Sequence, residues 1–178
     1  LGAGASTAIA AITAGAEVVH VCVNGLGERT GNAGLEEVAV ALKCCLGYPM
    51  EKFRFDSLKE LSALVERYTG VPVNPNKPVV GERSFARESG IGIDQVVDFP
   101  LSMYNMDPRL VGARPRIVYG KKSGILSVRL KLAEMGEVAT EEQQRSILEQ
   151  IKAAGIAAKG PVDEATVEDI IRRALAEA

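Results

Sequence analysis

The chain has 178 residues, with 21 lysines and arginines against 23 aspartates and glutamates, a formal net charge of −2 and 47% apolar residues. That mixed, near-neutral balance offers no basic field for nucleic acid, and no uninterrupted apolar run approaches the ~18 residues that a membrane helix needs. The alanine-rich start lacks the basic n-region and cleavage site of a secretory leader, so the sequence reads as cytoplasmic, with room for one good core or two small ones.

Gly2 to Ala16 reads as a helix, and the apolar stretch Glu17 to Val23 as a strand. His20 lies within that stretch, so it reads as a satisfied core or lining histidine rather than a ligand. A polar turn broken by glycines 25, 27 and 31 comes next. Leu35, Val38, Ala39 and Leu42 then share one face of a helix that runs to Cys45 and stops before Gly47. The three cysteines, Cys22, Cys44 and Cys45, are odd in number and lack metal-ligand spacing, which predicts buried reduced thiols.

Ser57 and Glu60 have the spacing of a capping box, and Leu58, Leu61, Leu64 and Val65 continue at helical spacing towards Gly70. Three prolines between Val71 and Pro78 forbid regular helix and mark an extended crossing segment, where a domain boundary is placed. Gly81 to Ile93 reads as a short helix broken at Gly90, and Val96 to Gly120 as irregular with a strand at Arg116 to Tyr119. With its scattered prolines this middle stretch has no core of its own and should lie across another surface. Three amphipathic helices follow, Ser123 to Met135, Thr140 to Ala154 and Asp163 to Ala176, the last two capped by Thr140 with Gln143 and by Asp163. They should form a small terminal bundle.

The run Val23 to Val38 joins the predicted strand to the predicted helix. In a βα unit the loop after the strand faces the active site, and its glycines let backbone and substrate approach closely while Glu28, Arg29 and Asn32 project polar groups. An ordinary strand-to-helix turn fits the same pattern. The run resembles the N-G-x-G-E-R-x-G-N signature on the eighth strand of the isopropylmalate synthase and homocitrate synthase family, the acyl-CoA-condensing branch of the DRE-TIM metallolyases. The likeness extends through Asn76-Lys77-Pro78-Val79-Val80-Gly81, Arg87-Glu88-Ser89-Gly90-Ile91, Asp107-Pro108-Arg109-Leu110-Val111-Gly112 and Gly120-Lys121-Lys122-Ser123-Gly124.

The resemblance implies an α/β fold, the C-terminal part of a TIM (β/α)8 barrel followed by a linker and a small, mostly α-helical subdomain. Residues 1–72 would be the last helix-strand-helix units, 73–120 the crossing linker and first subdomain, and 121–178 the helical second subdomain. A complete barrel takes roughly 250 residues. In the family a His-x-His metal pair ends the seventh strand, so the chain is expected to be a C-terminal portion or one piece of a split enzyme.

The resemblance also assigns roles. Asn32 matches the position whose amide oxygen lies at a divalent metal, Mg2+, Mn2+ or Zn2+; as an isolated residue it could instead cap the helix starting near Gly34. Glu28 matches a glutamate near the acyl-CoA carbonyl and, with Tyr104 ahead of Asp107-Pro108, is the implied catalytic set. Asn24, Gly25 and Arg29 are implied in substrate binding, although Arg29 serves equally well as a structural partner of a barrel carboxylate. Two family histidines are replaced, one by Gly92 and one by Lys122, with Glu88 and Asp94 the nearby substitutes in sequence.

The implied reaction condenses acetyl-CoA with a 2-oxo acid. The implied assembly is a homodimer or a complex with the rest of the barrel. Two other readings stay open, a non-catalytic subunit or remnant that covers a separate barrel chain, and a retro-aldol lyase of the same superfamily.

Overall fold

A computed structural model describes residues 1–176, apart from the side chains of Val97, Asp98 and Pro100. The chain forms two compact units, each drawn from two segments of the sequence. One comprises Leu1–Phe85 with Met106–Arg114, the other Ala86–Asn105 with the chain from Pro115 onward. The fold is mixed and mainly helical, with one two-stranded sheet among the described residues.

The first unit opens with α1 (Gly4–Thr13). The predicted strand from Glu17 to Val23 does not form. Cys22 makes a single parallel bridge to Gly34, with its N–H on the Ala33 carbonyl at 2.9 Å and its carbonyl receiving the Leu35 N–H at 2.9 Å. A strand exists through the ladder it shares with neighbours, and none of the described residues runs beside 17–21. For the same reason His20 is exposed and Cys22 only partly buried, contrary to expectation.

Helix α2 (Leu35–Val40) passes into a π-turn at Ala41–Cys45. Val38, Ala39 and Val40 are buried, whereas Cys44 and Cys45 lie exposed on the π-turn, so the expected burial of that pair is not seen. Helix α3 (Leu58–Thr69) ends at Gly70 as predicted, but the Ser57 capping box is not made. A 3-10 turn at Phe55–Ser57 leads into this helix and leaves Ser57 in the αR region, whereas a capping serine needs an extended backbone to reach the N3 amide. A second 3-10 turn, Pro108–Val111, packs on the first, and at Gly112 (φ 72°) a Cβ would overlap the Asp56 carbonyl. Phe55, Leu58, Val79, Val80, Phe85, Met106 and Val111 are buried in this unit.

The helix expected from Gly81 to Ile93 does not form, and the next helix starts only at Ile93. The Arg83 N–H is bonded to the Pro75 carbonyl at 2.8 Å and the Ser84 hydroxyl to the Lys77 carbonyl at 2.7 Å, so these groups tie the turn to the proline segment. In the second unit β1 (Ala86–Arg87) pairs in parallel with β2 (Arg116–Ile117), and the Val118 N–H extends the pairing to the Arg87 carbonyl at 2.8 Å. Helices α4 (Ile93–Asp98) and α5 (Pro100–Met103) follow β1.

The terminal bundle is α6 (Ile125–Met135), α7 (Glu141–Ala158) and α8 (Glu164–Ala176). The predicted caps are both present. The Gln143 N–H reaches Thr140 Oγ1 at 3.2 Å with the return bond in place, and the Thr166 N–H reaches Asp163 Oδ1 at 2.9 Å. Val128, Ile147, Ile151, Val167 and Ile171 form its centre. Lys131 is buried beside them, and ion pairs to Glu134 (3.3 Å) and Glu168 (3.2 Å) offset the cost of burying its charge. Burial alone pushes its pKa down, but the two carboxylates outweigh burial and leave it raised.

Tyr119 belongs to the same core, and burial, followed by the charges of Glu134 and Glu164, pushes its pKa up to about 12 from an ordinary 10.0. The fold therefore favours the neutral phenol. That contribution, about 2–3 kcal/mol, is complete below pH ~10 and is lost as pH rises through pH ~12. Denaturant titrations across this window should show the loss in the wild-type chain and a flatter profile in Tyr119→Phe; parallel profiles would remove Tyr119 as its source.

Candidate functional site

The loop from Asn24 to Asn32 is closed by short-range contacts that only small residues allow. A 3-10 turn at Val23–Gly25 starts it, with Asn24 in the left-handed region at φ 60°, ψ 7°. Asn24 donates its backbone N–H to Glu36 Oε2 (3.1 Å) and its side-chain Nδ2 to the Ser62 carbonyl (3.0 Å), and its Oδ1 accepts the Ser62 hydroxyl (2.6 Å). At Gly25 (φ 67°) a Cβ would crowd the Asn32 carbonyl at 3.1 Å, and at Gly27 it would overlap the Asn32 side-chain amide. The loop folds back on itself, and its glycines are required by that closure.

Asn32 does not cap α2. Gly34 holds the cap position without a side-chain bond, while Asn32 Nδ2 points to the Leu26 carbonyl (3.3 Å) and Cys22 Sγ (3.4 Å). These contacts use the amide nitrogen and leave Oδ1 without a hydrogen bond among the described residues. Glu28 and Arg29 are exposed on the same loop. Asn24, Gly25, Glu28, Arg29 and Asn32 are thus brought together on one loop. The Asn24 side chain is bonded to Ser62 through both its nitrogen and its oxygen.

Behind the loop lies a charged cluster for which the sequence reading held no role. Glu36, 1% exposed, faces Lys77 Nζ at 3.0 Å through Oε1, and Lys77 directs a hydrogen bond of 2.6 Å to Glu37 Oε1. Glu36 Oε1 thus has the ammonium charge beside it but no aligned hydrogen bond. Burial lowers the Lys77 pKa, and the two carboxylates more than reverse that, leaving it raised. In the sequence this residue stands within the family-like run Asn76 to Gly81, where the resemblance assigns it no role.

Tyr104 is in the second unit, half-buried; burial raises its pKa and the Arg87 charge opposes that rise. Gly92 takes φ 79°, a conformation that disfavours any side chain, the histidine of the family pattern included. Glu88 is engaged, its Oε1 accepting the Lys122 N–H at 3.1 Å, while Asp94 and Lys122 are exposed. Gly90 and Gly124 meet backbone to backbone, a Cβ on Gly90 falling 2.6 Å from the Gly124 Cα.

Among the described residues no three His, Cys, Asp or Glu side chains converge on one point. Asn32 Oδ1 is a single neutral oxygen, and a hard divalent cation would need several further oxygen ligands beside it.

Residues 1–65 match the HMGL-like family, and residues 79–159 match the homocitrate synthase post-HMGL domain-like family. The 2-isopropylmalate synthase of Methanocaldococcus jannaschii is 41% identical over 177 residues, 96% of this chain and 34% of that protein. The homocitrate synthase AksA of Methanopyrus kandleri is 41% identical over 174 residues, covering 98% and 43%. The (R)-citramalate synthase CimA of M. jannaschii is 43% identical over 145 residues, covering 82% and 29%. The chain thus spans well under half the length of these relatives. With both matches in the order HMGL-like then post-HMGL, the chain belongs to the isopropylmalate synthase and homocitrate synthase family.

Proposed function

We propose that this chain is part of a synthase that condenses acetyl-CoA with a 2-oxo acid and hydrolyses the thioester, water taking up the acyl group as the thiol leaves. On this reading residues 1–72 complete a TIM barrel, 73–120 cross from it, and 121–178 form the helical subdomain of a cytoplasmic homodimer or of a complex with the rest of the barrel. The observation that carries the reading is the orientation of Asn32. Its nitrogen is held by Leu26 and Cys22, so its oxygen is not spent on the helix end and is open to a ligand.

A bound divalent metal, Mg2+, Mn2+ or Zn2+, would supply Lewis-acid polarisation of the 2-oxo acid's ketone. Asn32 offers it one oxygen. Glu28 presents a carboxylate to the acetyl methyl, whose proton must leave before carbon–carbon bond formation, and Tyr104 serves as the second proton-handling group from the subdomain. Arg29 and the backbone at Asn24 and Gly25 bind substrate, the glycine permitting close approach.

Asn32→Ala in the complete synthase should weaken metal binding and lower turnover by about 10- to 100-fold, the scale of supporting residues at metal sites. Turnover and metal titration, measured together, test it. An alanine variant with unchanged metal affinity and rate would leave Asn32 only its bonds to Leu26 and Cys22.

A further inference from the structure

We propose that Lys77 and Glu36 position the Asn24–Asn32 loop by fixing the backbone of Asn24. A non-glycine residue in the left-handed region is held there against its own preference, and Asn24 at φ 60° is tied at both its backbone N–H and its side chain. The backbone tie ends on Glu36, which at 1% exposure is a buried carboxylate and depends on a counter-charge. Lys77 supplies it, with Nζ 3.0 Å from Glu36 Oε1 and 2.6 Å from Glu37 Oε1.

Lys77 is itself fixed by the crossing segment. Its N–H donates to the Asn74 carbonyl at 2.8 Å, and its carbonyl receives the Gly81 N–H at 2.9 Å and the Ser84 hydroxyl at 2.7 Å. A Cβ at Gly81 would overlap that carbonyl. A continuous path therefore runs from the crossing segment through Lys77, Glu36 and Asn24 to the loop that ends at Asn32. Lys77 acts through Glu36 and touches no reacting atom on this path, which makes it a positioning residue. Its bearing on the reaction rests on the synthase reading; the anchoring of the loop does not.

The test is amide hydrogen exchange on the 178-residue chain, comparing Asn24 with Val65 in α3 as a control. Lys77→Met leaves Glu36 without its counter-charge and should speed exchange at Asn24 by about 10- to 100-fold, well beyond any change at Val65. In a Glu36→Gln background the neutral amide oxygen still accepts the Asn24 N–H and needs no counter-charge. There the same Lys77→Met change should alter Asn24 exchange by less than about threefold.

Equal effects in the two backgrounds, or the same factor at Val65 as at Asn24, would overturn the proposal. If Lys77→Met alone fails to fold, the double variant with Glu36→Gln should fold and protect Asn24, and its failure to do so would also overturn it. No turnover is measured, so an anchored loop in a protein that condenses no acetyl-CoA would count against the synthase reading alone.

Discussion

Glu28→Gln in the complete synthase should lower turnover by about 10²- to 10⁴-fold, the range for removing a positioned acid–base group. The substitution keeps the shape of the side chain and removes its charge. Glu28 is exposed and takes part in no hydrogen bond or ion pair among the described residues, whereas Glu36 and Glu37 on the same stretch are committed to Lys77. A glutamine at position 28 therefore has no structural partner to disappoint, and its unfolding free energy should match the wild type within about ±0.5 kcal/mol, typical of surface changes. The informative measurement is the split between KM for acetyl-CoA and kcat. A loss confined to kcat identifies a group that acts on the departing methyl proton, and a loss confined to KM reduces Glu28 to a binding contact. Unchanged kinetics would remove it from the chemistry.

The parts of the fold that were legible in the sequence are those settled by contacts a few residues apart. Thr140 with Gln143, Asp163 with Thr166, and the apolar spacing of α7 and α8 each specify a helix within one or two turns, and all three helices of the bundle formed. Ser57 shows the limit of that locality. Its spacing to Glu60 is correct for a capping box, but the turn at Phe55–Ser57 holds it in the wrong backbone region. The stretch Glu17 to Val23 shows a different limit. Its composition suits a strand, yet pairing is a property of neighbours, and the described chain supplies only Gly34 opposite Cys22.

The loop was legible as a glycine-rich turn, and the choice at Asn32 between helix cap and ligand was not, because both roles ask for the same side chain. It took the placement of Nδ2 at the Leu26 carbonyl to exclude the cap. The pairing of Lys77 was not legible, although the residue stands in the family-like run Asn76 to Gly81. Its partner Glu37 lies 40 residues away, and no periodicity connects an isolated lysine in a proline segment to a helix so distant in sequence.

The 178-residue chain by itself should show no acetyl-CoA-dependent thiol release and no tight binding of Mg2+ or Mn2+. Affinity for such ions comes from several oxygen or imidazole ligands held at once, and the neutral oxygen of Asn32 is a single donor without charge. The described residues bring no cluster of three His, Cys, Asp or Glu to its side. Glu36 and Glu37, which follow the loop, are already paired to Lys77. On the proposed synthase reading a bound ion would polarise the ketone of the 2-oxo acid, so the chain without a full ligand set should not turn over. Thiol release should be followed with a panel of 2-oxo acids and either metal, first for the chain alone and then after mixing with a separately produced N-terminal barrel part. Activity that emerges only on mixing, and that Glu28→Gln then abolishes, places the chemistry on this loop within an assembled barrel. Metal-dependent turnover by the chain alone would require a complete ligand set inside these residues and would overturn the assignment of Asn32 as a lone contributor.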